Sequence, residues 1–256
     1  MEARIEQADW LDFTPTLPDA SVDLLYADPP FNTGKRRTGR AGAYDDAWPS
    51  PREWSAWLRE RLEAALPKLR PTACLLLHVD WRTSHHARFL LDELLGPDRF
   101  VNHLVWAYGL GGSSPRRFAR KHDDILFYAL HPDRYFFDPP LVPATSRRMN
   151  GKLKKATSVL RLDPTPLDSS DVLDIPAINN MARERVGWPT QKPLALLELL
   201  VRACCPPGGV VLDPCCGSGT TLVAAARAGR TGIGCDINPE AVEVARRRLA
   251  EAAAPA

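Results

Sequence analysis

Apolar residues along this chain fall into two periods. Nearly uninterrupted runs occupy 22–26, 73–79, 101–108, 124–130, 210–212 and 231–235. Runs this short, bounded by Gly, Pro or Asp, predict strands with both faces buried. Between them apolar residues recur three and four apart: Trp54, Trp57, Leu58, Leu62, Ala65 and Leu66; then Phe89, Leu90, Leu91, Leu94 and Leu95; then Leu196, Leu197, Leu199, Leu200 and Val201. That spacing predicts helices, as it does for Leu222, Val223 and Ala226 and for 240–249. Ser50-Pro51-Arg52-Glu53 has the form of a helix start, with a capping hydroxyl, proline at the first position and glutamate three after the cap. Residues 5–8 predict a short edge strand ending near Asp9. Strand and helix alternate, and two strands then follow one another on a short link. The pattern predicts an α/β fold, a doubly wound and mostly parallel sheet with one antiparallel strand late in it.

Two stretches depart from the pattern. Residues 32–48 (NTGKRRTGRAGAYDDAW) are rich in Gly, Lys and Arg and predict a mobile loop over a site. Residues 139–162 carry Arg147, Arg148, Lys152, Lys154, Lys155 and Arg161 without an acid, and the charge turns acidic from 163 to 174. That is a poor core and a good surface insertion. The expected division is 1–138 and 176–256 as parts of one domain, with 139–175 as an inserted recognition lobe.

Composition changes the picture little. The 256 residues are enough for one large domain, and the net charge of +2 means that any nucleic-acid footprint must be local. Six cysteines form two adjacent pairs and two singletons, neither a zinc-knuckle spacing nor a secreted disulfide framework. No metal is expected, and a reducing compartment fits. MEARIEQADW has no apolar signal core, and no stretch approaches a membrane span.

Chemistry concentrates at two strand ends. In the first, the apolar run stops at Asp28-Pro29-Pro30-Phe31, because two prolines cannot donate ladder hydrogen bonds. Carboxyl ends of parallel strands are where open α/β sheets bind ligands. An exocyclic amine of a nucleobase is a poor nucleophile, since its lone pair is delocalised. The Asp28 carboxylate and the Pro29 carbonyl can each accept one of its N–H groups, while Phe31 stacks on the base. In the second, Asp213-Pro214-Cys215-Cys216-Gly217-Ser218-Gly219-Thr220-Thr221 is strand, turn and helix, and Asp236 follows Gly219 by seventeen residues at the next strand end. Gly217 and Gly219 allow close backbone approach, and Asp236 can accept from ribose hydroxyls. The spacing is GxG, so the dinucleotide fingerprint is incomplete, and the P-loop lysine is absent.

Together, YADPPFNTG, VLDPCCGSGTT and GCDINPEAVEVARRRL resemble the amino-group DNA methyltransferases of the permuted beta type, in which the catalytic motif precedes the cofactor motif. LLLHVDWRTSHHARFLLDELLG, GGSSPRRFARKHDDILFYA and ERVGWPTQKPLALLELLV extend the resemblance over nearly the whole chain. It implies a seven-stranded Rossmann-like methyltransferase sheet and transfer of a methyl group from S-adenosylmethionine to N6 of adenine in DNA, with N4 of cytosine as the alternative. Asp28, Pro29, Pro30 and Phe31 match the catalytic tetrapeptide. Asp9, Ala27, Asp28, Thr190, Gln191, Lys192, Asp213, Cys215, Cys216, Gly217, Ser218, Gly219, Thr220, Thr221, Asp236 and Ile237 match positions that hold the cofactor. Cys215 stands where that loop usually carries Phe. Lys35, Arg36 and Arg37, Arg116, Arg117, Arg120 and Lys121, and Arg147, Arg148, Lys152, Lys154 and Lys155 are the candidates for DNA contact. The resemblance further implies double-stranded DNA as partner, a cytoplasmic, nucleoid-associated protein of a bacterium or archaeon, no membrane, and a restriction endonuclease and a homodimer as partners open to test. The rivals are an NAD(P)-dependent oxidoreductase, which leaves Asp28–Phe31 idle, and a catalytically silent DNA-binding module.

Overall fold

The computed structural model describes residues 3–108, 114–143, 153–155, 159–162, 178 and 182–253. Its elements in chain order are β1 (Arg4–Gln7), α1 (Trp10–Phe13), β2 (Val22–Ala27), β3 (Lys35–Gly39), β4 (Gly42–Asp46), α2 (Pro51–Ala65), β5 (Leu69–Val79), α3 (Ser84–Leu95) and β6 (Phe100–Tyr108). There follow β7 (His122–Ala129), β8 (Leu141–Pro143), β9 (Leu153–Lys155), β10 (Val159–Leu162), α4 (Leu194–Cys204), β11 (Val210–Asp213), α5 (Thr220–Arg227), β12 (Thr231–Asp236) and α6 (Pro239–Ala253).

The main sheet runs β1-β12-β11-β2-β5-β7-β6-β10, and only β7 opposes the other strands. The seven expected strands are all present, with the reversed one where the short link placed it. An eighth, β10, extends the edge in parallel with β6. It falls within 139–175, the stretch expected as an inserted lobe, where four residues among charged neighbours gave no strand pattern.

Alternation along the central strands sorts the core. Leu25, Leu75 and Leu77 pack with α1, α2 and α3, while Leu24, Tyr26, Cys74 and Leu76 face α4 and α5. Ser50 caps α2, accepting from the Glu53 amide at 3.2 Å, with Pro51 at the first position.

The chain leaves β2 through α2 towards β5 on one side, and leaves β11 through α5 towards β12 on the other. β2 and β11 are hydrogen-bonded neighbours, with Leu24 opposite Val211 and Leu25 opposite Leu212. The crevice between their carboxyl ends is therefore the topological switch point of the sheet. The chain order is permuted, and the spatial order is that of an ordinary doubly wound sheet.

Residues 32–48 hold a β-hairpin, not the expected mobile loop: β3 and β4 pair antiparallel from Lys35–Asp46 to Gly39–Gly42. The glycines serve close packing. A Cβ on Gly42, whose φ is +146°, would lie 2.5 Å from the Trp188 ring, and one on Gly39 would lie 2.3 Å from the Gly187 carbonyl oxygen. The Ala41 amide donates to Gly187 O (3.1 Å) and Asn238 Nδ2 to Ala43 O (2.9 Å).

Candidate functional site

Acids stand at or just past successive parallel strand ends across the sheet: Asp236 ends β12, Asp213 ends β11, Asp28 follows β2 and Asp80 follows β5. Beside them a cavity of about 500 Å3 opens at the switch point. Its wall includes Asp9, Asp28, Thr190, Gln191, Lys192, Asp213, Cys215, Cys216, Gly217, Ser218, Thr220, Thr221, Asp236 and Ile237, which gathers nearly all of the expected cofactor set. Ala27 and Gly219 do not line it. Ala27 is buried in the sheet, and a Cβ on Gly219 (φ +72°) would meet Ala245 at 2.7 Å, so that glycine lets the turn sit on α6.

The glycine turn is tied to the acids by its amides. Gly217 N–H donates to Asp236 Oδ2 at 2.8 Å, Asn238 N–H to Asp236 Oδ1 at 2.9 Å, and Cys215 N–H to Asp213 Oδ1 at 3.2 Å. The Asp28 backbone lies near enough to Cys215 to act on its thiol, so the proline motif and the glycine turn are adjacent. Burial pushes the Asp213 carboxyl up to about 7, with the charges of Asp28 and Asp236 adding to it and hydrogen bonds from Thr221 and the Cys215 amide opposing. Burial raises Asp236 as well, against the two amides it accepts. The Cys215 and Cys216 thiols are held well above their ordinary value, first by burial and then by Asp213, which keeps them neutral. Neither is poised as a nucleophile.

Several expected residues act through neighbours. Both Asp9 oxygens accept from Arg61 Nη2 (3.1 and 2.8 Å), and Oδ1 also caps α1 through Leu11 N–H. The Gln191 amide holds the strap before α4, accepting from Val186 N–H and donating to Glu184 O. Thr190 occupies left-handed backbone at φ +58°, rare for a β-branched residue, and its hydroxyl meets Tyr44 Oη at 3.0 Å. Pro30 O accepts from Trp54 Nε1 at 2.8 Å, which pins the proline motif to α2.

A second cavity, of about 490 Å3, shares Tyr44, Thr190, Gln191 and Lys192 with the first. Phe31 lines this one, with Trp81, Trp106 and Tyr108. Lys192, 8% exposed, donates from Nζ to Asp28 Oδ2 and lies 5.1 Å from the centroid of the Phe31 ring. Behind Phe31 stacks the fully buried His78, at 6.0 Å between centroids. His78 Nδ1 meets Tyr26 Oη at 2.8 Å, and Nε2 meets Asp123 Oδ2 at 3.3 Å. Burial alone would raise the Asp123 carboxyl, but His78, Lys192 and the Tyr108 hydroxyl together hold it below its ordinary value.

Sequence reasoning missed this second wall. Trp81 follows β5 and Tyr108 ends β6, so the strand-end rule that found Asp28 also reaches them. Trp188 lines the first cavity and stacks on Tyr44 at 6.4 Å.

Of the DNA-contact candidates, Arg36 pairs with Asp45 (3.0 Å) and Arg37 with Asp46 (3.4 Å) across the hairpin, while Lys35 is exposed. Arg116, Arg117, Arg120 and Lys121 lie between β6 and β7, and Arg117 and Arg120 line the second cavity. Lys154 and Lys155 are on β9; Arg147, Arg148 and Lys152 lie outside the described residues.

A doubly wound sheet with a glycine turn at its switch point, and a second, aromatic cavity sharing its wall, is an α/β fold of the kind that binds ligands at its strand ends. The N6/N4 family model described as DNA methylase matches residues 22–247, and the chain belongs to that family. It is 30% identical over 251 residues to type II methyltransferase M.HpaI of Haemophilus parainfluenzae, covering 97% of this chain and 74% of that one. It is 27% identical over 238 residues to the DNA adenine methyltransferase YhdJ of Escherichia coli strain K12, covering 91% and 78%. A solved structure, the PvuII DNA methyltransferase (cytosine-N4-specific), shares the fold at a TM-score of 0.71, with 15% identity over 97% of this chain and 86% of that one.

Proposed function

We propose that this DNA methyltransferase transfers the methyl group of S-adenosylmethionine to N6 of adenine in double-stranded DNA. The observation that carries the reading is the position of Asp28: it borders the first cavity beside the glycine turn and is held by a lysine that lines both cavities.

The first cavity fits the cofactor. Its size suits a nucleoside with a short tail. Each Asp236 oxygen accepts one amide and keeps a lone pair for a ribose hydroxyl. Asp213 is a buried carboxyl starved of counter-charge, which suits a ligand bearing positive charge. S-adenosylmethionine supplies an electrophilic methyl carbon on a positively charged sulfur.

The second cavity suits a flipped base, since an amine inside the duplex cannot reach Asp28. Phe31 offers a stacking face that His78 supports from behind. Asp28 Oδ2 is taken by Lys192, which leaves Oδ1 to accept one amine N–H, and the Pro29 carbonyl serves the other. The two acceptors turn the nitrogen lone pair out of the ring plane. The nitrogen then bonds the methyl carbon as the carbon–sulfur bond breaks, and the surplus proton leaves through Asp28 or water. The Asp-initial tetrapeptide and the adenine methyltransferase among the relatives favour adenine; the family's N4 type makes cytosine the second reading.

Transfer of labelled methyl to DNA, followed by nucleoside analysis, tests this. N6-methyladenine is expected; N4-methylcytosine overturns the choice of base, and no label in DNA overturns the reading. Asp28→Ala is expected to abolish transfer and to leave cofactor affinity within a few-fold. Normal turnover by that variant removes Asp28 from the chemistry. The same reading carries, as further proposals, the 139–175 insertion as a target-recognition lobe, a cytoplasmic and nucleoid-associated location, a cognate restriction endonuclease and a homodimer.

A further inference from the structure

We propose that Phe118 enters the DNA base stack and fills the gap left by the flipped target base. The inference rests on the base-flipping reading above and goes beyond it, because it assigns a second surface that holds the flipped state from the DNA side.

Four large apolar side chains are exposed among the described residues, and Phe118, at 97%, is the most exposed. Singly exposed apolar residues are ordinary on a protein surface. What sets Phe118 apart is its setting. It is flanked in the sequence by Arg116, Arg117, Arg120 and Lys121 with no acid among them, a local charge that favours an anionic partner. Arg117 and Arg120 line the second cavity, so Phe118 belongs to the segment that borders the mouth through which a base would enter. The segment is anchored: the Arg120 guanidinium lies 3.4 Å from the centroid of the Trp81 ring on the cavity wall, and Arg117 Nη1 donates to Phe118 O at 3.4 Å.

A flipped base leaves two apolar faces open to water in the duplex, and the helix closes on the gap unless something fills it. A planar ring between flanking phosphate contacts matches that gap in shape, polarity and charge. Apolar wedges in basic surroundings act in this way on distorted duplexes, and stacking on an aromatic ring does not depend on which bases flank the site. Phe118 thus provides for the stack what Phe31, which lines the second cavity, provides for the flipped base.

The test uses the full chain and a duplex that the wild type methylates. Phe118→Ala is expected to keep the wild-type Tm and cofactor affinity and to slow single-turnover transfer about 10-fold on the matched duplex, equivalent to ~1.4 kcal/mol. Placing the target base opposite an abasic site removes most of the cost of extrusion, and the variant is then expected to regain near wild-type rate. Phe118→Trp is expected to retain the matched-duplex rate. With 2-aminopurine at the target position, the fluorescence rise on binding is expected to shrink in Phe118→Ala and persist in Phe118→Trp. A wild-type rate for Phe118→Ala on the matched duplex, or an equal deficit opposite the abasic site, overturns the wedge. So does a shift in sedimentation with flipping unchanged, which makes Phe118 a contact between copies of the chain. Failure of the wild type to methylate any DNA overturns the underlying reading, and the wedge falls with it.

Discussion

Asp213 shows how much one carboxyl can report. Burial keeps its proton in place to about pH 7, whereas the unfolded chain releases it at about 3.9. The native state therefore binds the extra proton between those values. Stability from this group is complete below the ordinary carboxylate range and is lost as pH rises towards about 7. Asp213→Asn keeps an acceptor for the Cys215 amide and cannot ionise. Its melting temperature relative to wild type is expected to climb from about pH 4 to about pH 7 and level off above that; a flat difference across that range removes the raised carboxyl. A cationic ligand in the first cavity favours the ionised form. S-adenosylmethionine affinity, measured by calorimetry and referred to Asp213→Asn, is thus expected to strengthen from about pH 6 to about pH 8, and S-adenosylhomocysteine, with its neutral sulfur, to follow less steeply. Asp28, Asp213 and Asp236 were legible in the sequence because strand ends were legible. The pairing of Lys192 with Asp28 was not, since 164 residues separate them and only the folded sheet brings the strap to the strand.

The glycine turn depends on the helix beneath it. Arg248 of α6 is 7% exposed, and its Nη1 donates to Ser218 O (2.8 Å), Ser218 Oγ (3.0 Å) and Thr220 Oγ1 (2.8 Å). Removing that donor leaves the Ser218 carbonyl unpaired, at a cost of about 1–3 kcal/mol. Arg248→Met is accordingly expected to lower the denaturant midpoint and weaken S-adenosylmethionine binding, with kcat at saturating cofactor little changed. A large loss of kcat with normal affinity contradicts a role confined to the turn. The hairpin of β3 and β4 offers the converse case. Its glycines read as mobility in the sequence, because a glycine that permits motion and one that permits contact look alike there. Gly42→Ala is expected to cost about 1–3 kcal/mol, from a positive φ and a collision with Trp188. The long amphipathic helices and the central strands were legible because each buries one stripe or two full faces. The strand β10 was not, because its four residues owe their conformation to pairing with β6.

At the scale of the molecule, opposite crossovers from β2 and β11 open the first cavity at the switch point, and the second lies beside it along the ends of β5 and β6; under the proposed function, DNA comes to that end of the sheet. The near-neutral chain cannot attract DNA over its whole surface, so the phosphate contacts must be few and local. The two described basic clusters differ in what they can contribute. Arg36 already carries a counter-charge at Asp45, 3.0 Å away, and a phosphate would have to displace it. In the cluster from Arg116 to Lys121, Arg117 and Arg120 line the second cavity, where the proposed flipped base would enter. Each phosphate neutralised lowers the logarithm of affinity by about 0.9 per decade of salt. The Arg116→Ala, Arg117→Ala double variant is therefore expected to reduce the slope of log Kd against log salt by roughly 1.8. Arg36→Ala is expected to leave the slope within experimental error, since removing a paired charge releases no counterion from DNA. Titrations of one duplex across a salt series measure both. Equal slopes for all three proteins would detach that cluster from the phosphate backbone, and a large change from Arg36→Ala would move the footprint to the hairpin.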